Sequence, residues 1–191
     1  MTVEHEFILG GQKSGKSRRA EQRAADWLAA APGTHRAVLI ATAQAHDDEM
    51  QERIVRHQAD RAERVPGMRT IEEPVELARA IVTQSAPETL VVVDCLTLWL
   101  TNLLMPLRTE AARPVTRTPS AHTTMLLIAL REARGPVVLV GNEIGLGVIP
   151  LGRATRAFVD ALGRLNQDVA AACSRVTLMA AGLPLSLKAP A

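Results

Sequence analysis

Eight consecutive residues, Gly10-Gly11-Gln12-Lys13-Ser14-Gly15-Lys16-Ser17, constrain this chain more than any other stretch. They fit the pattern GxxxxGK[ST], and they stand between a short apolar run and a helix-forming one. The first is Phe7-Ile8-Leu9; the second, from Lys16 to about Ala31, is rich in Ala, Arg, Glu and Gln and ends at Pro32-Gly33, as a helix should. A strand, a glycine turn and a helix in that order turn backbone N–H groups inward at the positive end of the helix. The loop is therefore expected to cradle a phosphate chain. Lys16 supplies a point charge for the β and γ phosphates, and the Ser17 hydroxyl can take one position on Mg²⁺.

The rest of the chain repeats the alternation. Ala37 to Ala41 reads as a buried strand, Asp47 to about Arg64 as a helix with acids in its first turn, and Pro74 to Gln84 as a shorter helix. Leu90-Val91-Val92-Val93 is a continuous β-branched strand of the kind covered on both faces. Leu96 to Leu104 reads as helix, and Pro106 to Ser120, with its prolines, arginines and hydroxyl residues, as a surface loop. A helix from Ala121 to Arg134, a strand from Pro136 to Val140, a long helix from Leu151 to Ala172 and two closing strands, Val176 to Ala180 and Leu183 to Leu187, complete the order. The expected fold is α/β, with a mostly parallel sheet and helices on both faces. At 191 residues, with no repeat or linker, one domain spanning 1–191 is expected.

Composition removes several function classes. Aromatic residues are 2% of the chain, too few for stacking on nucleic-acid bases, and a net charge of +2 is too small for binding nucleic acid or membrane mainly through charge. Cys95 and Cys173 lie far apart in apolar stretches with no metal-ligand spacing, and read as small core residues. No leader-like segment opens the chain, and its longest apolar stretch, Leu90 to Leu104, is too short and polar to span a bilayer, so a soluble cytoplasmic protein is expected.

Two further features bear on chemistry. Asp94 follows the valine-rich strand directly, where it serves either as a cap for the next helix or as the carboxylate that holds Mg²⁺ opposite the phosphate loop. Glu49, Arg53, His57 and Arg61 recur every four residues and so share one stripe of a helix. Such a stripe is either a solvated charged face or a phosphate site whose unprotonated imidazole is a nucleophile toward phosphorus. The guanine-reading NKxD element of regulatory GTPases is missing, since Asn142-Glu143 continues as Ile144-Gly145.

Together these strings resemble a known family. The phosphate loop is followed by Ile40-Ala41-Thr42-Ala43-Gln44, then Asp47-x-Glu49-Met50, Arg53-Ile54-x-x-His57-x-x-x-Arg61 and Thr70-Ile71-Glu72-Glu73-Pro74. Later come Val93-Asp94-Cys95-Leu96-Thr97-Leu98-Trp99, Asn142-Glu143-Ile144-Gly145-x-Gly147-x-Ile149-Pro150, Gly163-Arg164-x-Asn166-Gln167 and Gly182-x-Pro184. From about Phe7 to Lys188 the chain resembles the bifunctional adenosylcobinamide kinase / adenosylcobinamide-phosphate guanylyltransferase of cobalamin biosynthesis.

The resemblance implies a P-loop NTPase of RecA-like type that phosphorylates adenosylcobinamide with a nucleoside triphosphate, ATP or GTP. It then transfers GMP from GTP to adenosylcobinamide phosphate through a GMP-histidine. By the match, His57 is the implied nucleophile and Lys16 its catalytic partner in the cradle. Thr42, Ala43, Gln44, the stretch His57-Gln58-Ala59-Asp60-Arg61, Glu72 and Asp94 fall where the family contacts guanine nucleotide. A homo-oligomer, the family's trimer, is implied as well. Two alternatives remain: a monofunctional small-molecule P-loop kinase that stops at the phosphate, and a nucleotide-dependent switch. The segment Met105 to Ala121 matches no family string.

Overall fold

The computed structural model describes residues 3–45, 48–106 and 118–190, with Arg53 described by its backbone alone. Asp47 and most of the basic loop, 107–117, lie outside the described residues. The chain opens with β1 (Glu6–Gly10), α1 (Lys16–Ala30), β2 (Arg36–Ala41), α2 (Asp48–Arg64), β3 (Arg69–Glu72) and α3 (Leu77–Gln84). It continues with β4 (Thr89–Asp94), α4 (Leu96–Leu104), α5 (Pro119–Glu132), β5 (Val137–Asn142), α6 (Arg153–Ala172), β6 (Arg175–Ala180) and β7 (Leu183–Lys188).

The strands form one sheet in the order β3-β2-β4-β5-β1-β6-β7. Every pairing is parallel except β6 with β7. Central strands are buried along their length because they are runs of Val, Ile and Leu covered on both faces. On one face α3, α4, α5 and α6 pack Ile81, Trp99, Leu126 and Leu162 against Phe7, Val91, Val93 and Leu139. On the other, α1 lays Ala20 and Ala24 on Ile8, Leu39, Val92 and Val138. The alanines are what allow close approach there. Trp99, fully buried in a core with few aromatics, donates its indole N–H to the Val75 carbonyl at 2.8 Å.

Two local details depart from the sequence expectation. β3 is an unexpected strand: Arg69-Thr70-Ile71-Glu72 has one apolar residue and lies exposed at the sheet edge, so hydrophobic patterning does not reveal it. The helix expected from Ala121 begins at Pro119, because the Thr118 hydroxyl accepts a hydrogen bond from Ala121 N and proline suits the first helical position.

His5 lies immediately before β1. It is buried; its Nδ1 accepts from Val137 N at 3.1 Å, so Nε2 carries the proton and donates to Leu130 O at 2.8 Å. Burial holds its pKa below the ordinary 6.5, opposed more weakly by the bond to Leu130. The unfolded chain therefore takes up a proton first as pH falls, and stability is lost from about pH 6.5 downward through the folded-state pKa, by at most about 1.4 kcal/mol per pH unit. The urea midpoint is expected to be lower at pH 5.5 than at 7.5, and His5→Gln to flatten that difference; equal slopes in the two proteins would disprove the assignment.

Candidate functional site

The parallel strands deliver their C-terminal ends to one edge, where Gly10, Thr42, Asp94 and Asn142 gather. Register places Gly10 beside Asn142, and Asp94 between Ala41 and Val140. The loop Gly11–Gly15 rises from β1 and enters α1 through Gly15, whose φ of 100° is left-handed. At Gly10 a β-carbon would lie 2.5 Å from both the Met179 carbonyl and Ser14 Oγ, so no side chain fits. Lys16 folds back over the loop: its buried ammonium donates to Gly11 O at 2.6 Å and lies 3.4 Å from Ser14 Oγ. Gly11, Gln12 and Lys13 are exposed along the rim, Ser14 is buried, and Ser17 is half-buried in the first turn of α1. From the far side, the tip of the β6–β7 hairpin holds the loop, Gly182 N donating to Ser14 O at 3.0 Å.

Polar side chains fix the edge itself, and Thr42, expected at the guanine nucleotide, is one of them. Thr42 Oγ1 donates to Cys95 O at 2.7 Å and accepts from Cys95 N at 2.9 Å, locking the exit of β2 to the exit of β4. Asn102 donates to Thr42 O at 2.8 Å and to Pro74 O at 3.1 Å. The Thr97 hydroxyl accepts from Asn142 N at 2.8 Å, and Asn166 donates to Asn142 O at 3.1 Å. A buried asparagine within the apolar helix Leu96–Leu104 is the one signal that could have found Asn102 in advance. Thr42→Val keeps the shape and leaves the buried Cys95 N–H unpaired, while Cys95 O still accepts from Trp99 N at 3.1 Å, so a loss of about 1–2 kcal/mol is expected in urea unfolding with the slope unchanged. An unshifted midpoint would show the clamp to be dispensable.

Half-buried Asp94 and the Lys16 ammonium both act electrostatically on the Cys95 thiol. Cys95 is pushed up to about 11 by burial first and the Asp94 charge second, while Lys16 pulls it down. The charges of the phosphate loop and of the β4 carboxylate thus act on a common point.

A second cavity, of about 530 Å³, opens where the β2 exit, α2 and the end of β3 meet. Ala43, Gln44, Gln51, Ile54, Gln58 and Glu72 are among its lining residues. Gln51, Ile54 and Gln58 recur as i, i+3 and i+7, one face of α2. Gln44 lines this cavity, and its Oε1 is buried with no hydrogen-bond partner among the described residues. Thr42 is buried just beneath.

The charged stripe of α2 divides. Arg61 is its one buried side chain among the described residues, 3.9 Å from Glu21 of α1 and 3.3 Å from the Thr70 hydroxyl. Arg64, exposed, bonds Glu21 and Asp60, both at 3.0 Å. Arg61 therefore serves first to pin the C-terminal end of α2 to the buried Glu21 carboxylate. One turn earlier, the side chain of half-buried His57 forms no hydrogen bond with another described residue, and Ala59 beside it is exposed. The structure thus brings Gly10–Ser17 and Asp94 to one edge, groups Ala43, Gln44, Gln58 and Glu72 around the adjoining cavity, and leaves His57 outside both sets of contacts.

Among the described residues no three carboxylate, histidine or thiolate groups converge as a metal cage. No helix of the described residues is long and apolar enough to cross a membrane.

Residues 6–187 match the family described as cobinamide kinase / cobinamide phosphate guanyltransferase. A bifunctional adenosylcobalamin biosynthesis protein of Pseudomonas aeruginosa is 45% identical over 96% of this chain and 96% of its own length. Proteins of the same description from Salmonella typhimurium and Escherichia coli are 35% and 34% identical, each covering 95% of this chain and 98% of the relative.

Proposed function

Because the chain belongs to the cobinamide kinase / cobinamide phosphate guanyltransferase family, it is a bifunctional adenosylcobinamide kinase and adenosylcobinamide-phosphate guanylyltransferase of cobalamin biosynthesis, and we propose that one site serves both reactions. The observation that carries this is the preformed cradle: Lys16, buried and bonded to Gly11 O, sits at the head of α1 on the edge shared with Asp94. We read the whole chain as a single P-loop domain of RecA-like type. The parallel strands and the placement of β5 between the loop-bearing β1 and the Asp94-bearing β4 support that reading. A cytoplasmic location accords with it.

In this reading the backbone of Gly10–Ser17 holds the triphosphate, and Lys16 offsets charge on the β and γ phosphates. Ser17 and Asp94 offer hard oxygen donors, few in number, which suits a Mg²⁺ that takes its remaining ligands from phosphate and water. When bound, the ion supplies further charge neutralisation on the phosphates. Ala43, Gln44, Gln58–Arg61 and Glu72 form the side toward the guanine nucleotide, with Thr42, buried beneath them, as support for that side. For phosphoryl transfer, the terminal hydroxyl of adenosylcobinamide attacks the γ-phosphorus of the donor and the nucleoside diphosphate leaves.

For guanylyl transfer, an unprotonated His57 nitrogen attacks the α-phosphorus of GTP, forming a P–N bond as pyrophosphate departs. The phosphate of adenosylcobinamide phosphate then attacks the same phosphorus and releases the imidazole. With no side-chain hydrogen bond to another described residue, the His57 ring is able to turn toward the nucleotide. We propose a homo-oligomer, a trimer as the family resemblance implies; exposed Val55 on α2 and exposed Leu183, Leu185 and Leu187 on β7 offer apolar surface for it.

The test is incubation with GTP labelled at the α-phosphorus. Covalent label that is lost in acid and kept in alkali is expected; absence of label would leave only the kinase half.

A further inference from the structure

The acceptor substrate poses a size problem that the nucleotide site does not solve. A corrin macrocycle with its peripheral amide arms exceeds the cavity of about 530 Å³ beside α2, which the guanine nucleotide claims in the reading above. Only the terminal hydroxyl or phosphate of its arm has to enter the cradle. The ring itself must rest on surface next to the phosphate loop.

One surface adjoins the loop and is built to stay apolar. The connection from β5 to α6 starts at Glu143, whose backbone N–H donates to Gly10 O at 3.1 Å, so it springs directly from the cradle. Its shape is held at both ends. The Glu143 carboxylate accepts from Gly145 N at 2.8 Å, and the Arg156 guanidinium donates to Pro150 O at 2.9 Å and to Leu151 O at 2.5 Å. Between these anchors Leu146, Val148, Ile149 and Leu151 are exposed by 82%, 96%, 77% and 96%. A connection so short has no need of four solvent-facing aliphatic side chains for its own folding, and contiguous exposed apolar surface marks a binding site.

We infer that this connection is the platform for the apolar face of the corrin ring, an assignment that rests on the family reading above. It supplies what an aromatic-poor chain needs for a macrocycle, aliphatic contact without stacking, and it does so beside the position where the arm's oxygen meets the γ-phosphorus.

The experiment uses the full chain carrying Leu146→Gln and Val148→Gln together, with Leu151→Gln as a second variant; such exposed positions tolerate polar residues without unfolding. The KM for adenosylcobinamide is expected to rise roughly tenfold or more, through lost apolar contact. The KM for the nucleotide, kcat at saturating corrinoid and GTP-dependent self-labelling without corrinoid should be unchanged. An unaltered corrinoid KM in both variants overturns the platform. So does a fall in solution mass by light scattering, which would show that another copy of the chain covers this surface. Failure of the underlying family reading looks different, since the unsubstituted protein would then turn over no corrinoid at all.

Discussion

Replacing Lys16 with alanine is expected to lower both phosphoryl transfer and guanylyl transfer by about 10²–10³-fold, with the chain still folded. At 1.36 kcal/mol per factor of ten, that is about 3–4 kcal/mol of lost transition-state stabilisation. The ammonium is already buried and directed by Gly11 O and Ser14 Oγ, so little reorganisation is required when a triphosphate arrives. Both reactions develop charge on a departing or transferring phosphate in the same cradle, which is why one substitution removes both. Lys16→Arg should fail to rescue, because a planar guanidinium cannot occupy a pocket shaped for a compact ammonium. Steady-state rates for the two reactions, measured on one preparation, decide the matter; normal guanylylation in Lys16→Ala would mean that the two activities use separate phosphate sites.

His57→Ala should separate what Lys16→Ala loses together. Label from GTP is expected to vanish and guanylyl transfer to fall by at least about 10³-fold, since loss of a covalent nucleophile leaves only direct displacement. Phosphorylation of adenosylcobinamide should continue near its normal rate. Folding is spared because α2 is fastened to α1 through Arg61 and Arg64 on Glu21, one and two turns beyond His57. Arg61→Ala is the instructive contrast: it removes a buried charge 3.9 Å from the Glu21 carboxylate and leaves Arg64 as the group hydrogen-bonded to it. Persistent label in His57→Ala would move the nucleophile elsewhere and confine His57 to binding.

The phosphate loop, the valine-rich central strands and the position of Asp94 were legible in the sequence because each rests on local chemistry: glycine turns, β-branched runs and a strand-to-helix junction. β3 was not, because an exposed edge strand is made by backbone pairing with β2 and leaves little trace in side-chain pattern. Nor could spacing tell what Arg61 does. The i,i+4 rhythm of α2 is the same whether Arg61 meets solvent, phosphate or, as here, a carboxylate forty residues earlier in the chain. Asn102 and Thr42 show the same limit of local reading: their hydrogen bonds join residues far apart in sequence, and only the assembled sheet edge brings them together. The resemblance named the chemistry, but the clamp that shapes the site is a property of the fold.

The order of strands has a consequence for how the protein comes into being. β1 carries the phosphate loop and is translated ahead of the other strands of the sheet, yet its neighbours are β5 and β6, and the turn that holds Ser14 lies between β6 and β7. Until Val137 and the residues after it have been translated, β1 has neither native neighbour. The nucleotide cradle is thus written before the strands that flank it and among the last to be supported on both sides, so a chain that ends before β6 and β7 cannot present the complete site to a nucleotide.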